Sequence, residues 1–122
     1  LLRQLRESRR TPATPIRISN RIHRDDTIGL LQFLIEAAAQ ERGLDGCYLG
    51  VDTEPAPIAE VEGWFAHYLG LDYNAMCEQP GELRGGNKRC ASTRVQALGY
   101  QFLYPTYREG LPTLLAATDA IS

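Results

Sequence analysis

The 122-residue chain has one lysine, one methionine, one tryptophan and three cysteines. Cys47, Cys77 and Cys90 are odd in number, far apart and without Cys-x-x-Cys spacing, which argues against a disulfide framework and against a zinc site. They read as reduced thiols, and no metal ligand is expected. Lys88 has Arg84 four residues before it, so a Tyr-x-x-x-Lys acid/base pair is missing. A Gly-rich phosphate turn is missing too. No apolar run approaches the roughly 18 residues of a membrane span, and the N-terminus lacks the apolar stretch of a signal peptide. These absences predict a soluble, cytoplasmic protein without a membrane partner. They also predict a single domain over 1–122 with no catalytic and no cofactor-binding residue of its own.

Apolar residues make up 43% of the chain, enough for a modest core. The formal net charge of −2 conceals an asymmetry. Arg3, Arg6, Arg9, Arg10, Arg17, Arg21 and Arg24 face Glu7 alone within the first 24 residues. Such an arm suits an anionic partner. No aromatics interleave with the arginines and no recognition helix follows, so a solvated basic face is expected rather than a nucleic-acid site. Leu1-Leu-Arg-Gln-Leu-Arg6 is already on a helical period without an initiator Met or a cap, which reads as a piece of something longer.

Residues 1–8 should be helical and 11–15, with two prolines, an extended loop. Alternation at Ile16, Ile18 and Ile22 predicts a half-buried strand over 16–23. Asp25 or Asp26 should cap a helix bearing Ile28, Leu31, Leu34, Ile35 and Ala38, which runs to about Arg42 and ends at Gly43. A buried strand is expected over 47–51, a loop over 52–57, and a helix with Pro57 in its first turn. That helix carries an Ile58, Val61, Trp64, Phe65, Tyr68, Leu69 stripe and ends at Gly70. Beyond a polar loop over 71–86 come a brief strand at 87–90, a helix over 92–98 with Ser92 as cap, and an extended segment over 100–104. Thr106 and Glu109 have capping-box spacing. The final helix should bury Tyr107, Leu111, Leu114 and Leu115.

Four segments in order carry a resemblance. They are Asn20-Arg-Ile-His-Arg-Asp-Asp26 with its helix, Cys47-Tyr-Leu-Gly-Val-Asp-Thr-Glu-Pro-Ala-Pro57 with its helix, Asn87-Lys-Arg-Cys90 with Leu98-Gly-Tyr100, and Phe102-Leu-Tyr-Pro-Thr-Tyr-Arg-Glu-Gly110. Together they resemble the C-terminal portion of extended short-chain dehydrogenases/reductases, the NAD-dependent epimerase/dehydratase family. The resemblance implies a small mixed α/β fold of about four helices and short strands, the substrate-side part of a two-lobe enzyme. It implies that the dinucleotide-binding lobe, with the Gly-rich turn and the Tyr-x-x-x-Lys pair, lies outside these residues and is a partner of this portion. The parent enzyme would use NAD or NADP for hydride transfer on a small-molecule, possibly sugar-derived, substrate.

On the same resemblance Asn20 and Arg21 sit where relatives meet the interlobe cleft and are candidate substrate contacts. Lys88 and Arg89 are candidate anion-binding residues, of which a strand would present one to each face. His23 takes the place of a structural histidine, and Asp26 that of a helix cap. Ser19 and Asn20 stand where sugar-nucleotide epimerases carry an Arg-Asp pair, which argues against a nucleotide-sugar substrate. Loss of the other lobe should leave an apolar stripe uncovered and favour a homo-oligomer. A different class stays open, a free-standing interaction or regulatory module or a basic-arm nucleic-acid binder.

Overall fold

The computed structural model describes residues 1–44, 46–79 and 87–121, with 116–121 as backbone only. In chain order the elements are α1 (Leu2–Arg6), β1 (Arg9–Arg10), β2 (Ile18–Ser19), α2 (Arg24–Ala39), β3 (Ala56–Pro57), α3 (Ile58–Tyr68), a 3-10 turn (Tyr73–Ala75), β4 (Cys77–Glu78), α4 (Thr93–Ala97) and α5 (Tyr107–Ile121). The result is a small mixed α/β fold, with five helices among short strands in the described residues. Its residues group into two units, Leu1–Ser19 with Ala56–Arg89, and Asn20–Pro55 with the described residues from Cys90 onward.

In the first unit the helical period of α3 buries Val61, Phe65 and Ala66, which form the core together with buried Leu5, Ala56 and Met76. The buried face is rotated from the predicted stripe. Tyr68 is exposed and Trp64 half-buried, stacked on Tyr68 at 5.5 Å, whereas Glu62 lies inside. That carboxylate is tolerated because Thr11 N, Thr11 Oγ1 and Tyr73 Oη donate to it at 2.8, 2.6 and 3.0 Å. Gly70, at φ +76°, ends α3 as predicted. Its amide and that of Leu71 bond back to His67 O and Ala66 O, the paired closure that left-handed backbone permits.

The strand predicted over 16–23 shrinks to β2, antiparallel to β3 with Ile18 opposite Pro57. Pro57 has no N–H to donate, and the next bond is made by Ile58 N to Arg17 O. The predicted loop over 52–57 thus ends in a strand. The 87–90 strand is absent. Instead the Asn87 amide does the pairing, accepting from Ile18 N at 2.8 Å and donating to Ile16 O. Within the predicted polar loop, β4 runs parallel to β1, with Arg9 opposite Cys77. The Gly85-Gly86 turn lies outside the described residues.

In the second unit Leu30, Ala37, Val51, Val95, Tyr107 and Leu111 are buried. The predicted strand over 47–51 has no ladder. Only Val51 of that run is buried, while Leu49 is 48% exposed. Helix α2 stops at Ala39 and not near Arg42, since Glu41 takes the left-handed turn at φ +55°. Glu41 N bonds Ala38 O and Arg42 N bonds Ala37 O, so the terminator is a glutamate two residues before Gly43. Ser92 precedes α4 but bonds no helix amide, and its hydroxyl accepts from Gln96 Nε2 at 2.7 Å. The Thr106 and Glu109 box forms, with Arg108 N donating to Thr106 Oγ1 at 3.1 Å and Thr106 N to Glu109 Oε2 at 3.0 Å. In α5 Tyr107 and Leu111 are buried as expected, but Leu114 is exposed.

Candidate functional site

The N-terminus of α2 is capped by His23, not by either aspartate. Its Nδ1 accepts from Asp25 N at 3.0 Å, so that nitrogen carries no proton. Its Nε2 lies 2.7 Å from Thr113 Oγ1, and the threonine hydroxyl donates to Gly110 O at 2.6 Å. The proton of that contact must therefore sit on Nε2, giving a neutral tautomer with both nitrogens engaged. The ring also packs on Tyr104, with centroids 4.0 Å apart. His23 is thus a joint between α2 and α5, in keeping with the structural role the sequence implies.

Asp26, fully buried, performs another task than capping. Its Oδ1 accepts from Tyr100 Oη at 2.7 Å and from Leu103 N at 2.8 Å, and its Oδ2 from Tyr104 N at 2.9 Å. The expected extended segment at 100–104 has no ladder; a side chain on α2 binds it in place of a neighbouring strand.

Beside this joint a cavity of about 430 Å³ opens within the second unit. Arg21, Ile22, His23, Tyr104, Tyr107 and Thr113 line it, together with Arg24, Asp25, Asp52 and the start of α5. Arg21 is held from several sides. Its Nε is 3.3 Å from Asp52 Oδ2, its Nη2 donates to Glu54 O at 3.0 Å, and its guanidinium lies 4.6 Å over the Tyr107 ring. Arg108 lies over the same ring at 4.5 Å and pairs with Glu54. Burial pushes the Asp52 carboxyl up despite help from Glu54 N–H and Arg21, and pushes Arg21 down despite Asp52. Desolvation therefore outweighs attraction for both partners.

Of the four candidate contacts, Arg21 lines this cavity. Asn20, its neighbour, is exposed and accepts Cys90 N at 2.8 Å through Oδ1. Lys88 and Arg89 are exposed and belong to the first unit. Asp52, Tyr107 and Thr113 were not singled out as site residues from sequence. Two separate segments, the loop at Asp52 and α5, bring them to Arg21, and the one local signal was that the Tyr104 and Tyr107 hydroxyls need partners. Among the described residues no cluster of three metal-ligating side chains occurs, and no helix is long and apolar enough to cross a membrane.

No family model matches the sequence, and no curated protein matches it. Among solved structures it is similar to a Methylobacillus flagellatus protein assigned to the NAD-dependent epimerases/dehydratases. Identity is 31% with a TM-score of 0.71 over 97% of this chain. The match spans 42% of that structure's chain, so the similarity is to part of such an enzyme, as the four sequence segments imply.

Proposed function

We propose that the chain is the C-terminal, substrate-side portion of an NAD(P)-dependent epimerase/dehydratase that acts on a small, sugar-like substrate in the cytoplasm. The observation that carries this is a match at 31% identity along nearly all of this chain and 42% of an NAD-dependent epimerase/dehydratase. The described residues do not fit a dinucleotide. Their one parallel strand pair is two residues long, and no Gly-rich turn joins a strand to a helix. Cofactor binding and hydride transfer then belong to the rest of the enzyme, and this portion contributes substrate contacts.

Arg21 is the best placed of those contacts, being in the cavity wall, and Asn20 adjoins it in the chain; Lys88 and Arg89, of the first unit, are proposed separately as anion-binding residues. The exposed stripe of Ile28, Leu31 and Ile35 along α2 would pack on the dinucleotide-binding part. The basic N-terminal arm favours no nucleic-acid reading, since Arg3 and Arg9 pair with Glu7 and Arg10 with Glu78.

The reading frame upstream of the Leu1 codon tests the proposal. It should encode a Gly-rich turn and a Tyr-x-x-x-Lys pair, and the chain by itself should give no calorimetric signal with NAD or NADP. A frame without both elements, or micromolar cofactor affinity of the chain alone, overturns it.

A further inference from the structure

The cavity around Arg21 is lined by charges that cancel. Arg21 faces Asp52 at 3.3 Å and Arg24 faces Asp25 at 3.6 Å, and all four belong to its wall. His23 adds no charge in the tautomer its two hydrogen bonds select. A phosphate or carboxylate entering here would have to displace Asp52 from Arg21 or lie beside two carboxylates, and like charges at close quarters are costly. The remaining wall is apolar and aromatic, with Ile22, Leu111 and the Tyr104 and Tyr107 rings. Hydroxyls in it retain hydrogen-bonding capacity, those of Thr113 and Tyr104 among them. Thr113 Oγ1 donates to Gly110 O and receives from His23, leaving one acceptor site. The Tyr104 ring packs on His23 and its backbone amide meets Asp26, while among the described residues its hydroxyl has no hydrogen-bond partner.

We propose that this cavity binds an uncharged, hydroxyl-bearing molecule of sugar size, hydrogen-bonded to the Tyr104 hydroxyl, and discriminates against the phosphorylated form of the same molecule. Its volume, about 430 Å³, lies in the range of small-molecule sites. The proposal deepens the substrate-side reading and rests on it. Asp52 is the discriminating group, because its carboxylate occupies the guanidinium that an anion would otherwise take.

Titration of the ¹⁵N-labelled chain with methyl β-D-glucopyranoside and, separately, D-glucose 1-phosphate provides the test. The neutral glycoside should shift the amides of Tyr104, Thr106, Gly110 and Thr113, and the phosphate at equal concentration should not. Tyr104→Phe should weaken the glycoside by roughly three- to tenfold, the worth of one hydrogen bond. Asp52→Asn, which keeps an acceptor for Glu54 N, should gain a response to the phosphate. If that variant does not fold, Tyr104→Phe and the wild-type comparison decide.

A wild-type preference for the phosphate, or no response of these amides to the glycoside, overturns the inference. Phosphate preference with a Gly-rich turn and Tyr-x-x-x-Lys pair upstream leaves the enzyme reading standing. Glycoside binding without those elements removes that reading and leaves only the cavity's preference for a neutral molecule.

Discussion

The Tyr100 hydroxyl donates to Asp26 Oδ1 at 2.7 Å across seventy-four residues of chain, and both side chains belong to the second unit. With the Leu103 and Tyr104 amides on the same carboxylate, Asp26 binds the segment before α5 to α2. Asp26→Ala strands three part-buried donors, and a donor left unsatisfied costs up to about 1 to 3 kcal/mol where water cannot reach it. Tyr100→Phe, which removes one of the three bonds, should cost about 1 kcal/mol, and Asp26→Ala, which removes all three, should cost more. Urea denaturation followed by circular dichroism measures both; equal losses would contradict a hub at Asp26.

Gly29 lies beneath this contact. A Cβ there would meet Tyr100 Oη at 2.8 Å, and the phenol cannot yield without leaving Asp26. Alanine in a helix normally gains up to about 1 kcal/mol over glycine, but Gly29→Ala should destabilise by roughly 1 to 3 kcal/mol through overpacking. Adding Tyr100→Phe removes the clashing oxygen, so the double variant should be more stable than the sum of the two single losses. Simple additivity would refute the steric cause.

Elements with a strong local signal were legible. The periodicities of α2, α3 and α5, the closure at Gly70 and the box at Thr106 and Glu109 depend on residues within a few positions of each other. The two-residue strands did not show, because Arg9 pairs with Cys77 and Ile18 with Pro57, and no local pattern encodes partners so distant. His23 displaced the aspartates as cap for a related reason. Its second nitrogen is anchored by Thr113 on α5, which frees Asp26 to turn inward. At the site Arg21 was visible through resemblance, whereas Asp52 and Tyr107 looked like loop and core.

The end of α2 offers a gain in stability. Glu41 adopts φ +55°, a region where a side chain is penalised and glycine is not. Glu41→Gly should raise stability by roughly 0.5 to 1 kcal/mol, less the added freedom of the unfolded chain. A fall in the thermal midpoint would show that the Glu41 side chain contributes more than its backbone costs.

Alkaline pH should weaken the fold through two phenols. Burial, then the bond to Glu62, pushes Tyr73 up to about 12, and burial, then the bond to Asp26, raises Tyr100 as well. In the unfolded chain both would ionise near pH 10. Above that pH the unfolded state binds fewer protons than the folded one, so stability is intact below about pH 10 and falls as pH rises, for Tyr73 up to about pH 12. Trp64 is in the same unit as Tyr73, so its fluorescence in urea titrations between about pH 9 and pH 11 reads the relevant transition. Tyr73→Phe should start lower and lose less with pH; an unchanged slope would assign the alkaline loss elsewhere.

Ile28, Leu31 and Ile35 stand 60%, 58% and 69% exposed at i, i+3 and i+7 along α2, and Leu34 and Tyr48 are half-buried. A stripe with this spacing is the face a helix normally buries. In the proposed enzyme the dinucleotide-binding part would cover it. Without that cover, burial against a second copy gains roughly 25 cal/mol per Å² of apolar surface, so the chain alone should self-associate as concentration rises. Light scattering over a dilution series should give a mass that grows with concentration, and Leu31→Glu with Ile35→Lys should hold it at one chain without lowering the thermal midpoint. Co-expression with the upstream dinucleotide-binding part should likewise abolish self-association of the wild-type stripe. A wild-type chain that stays monomeric throughout would show that this face needs no cover, and would remove the support that the stripe gives to a second lobe.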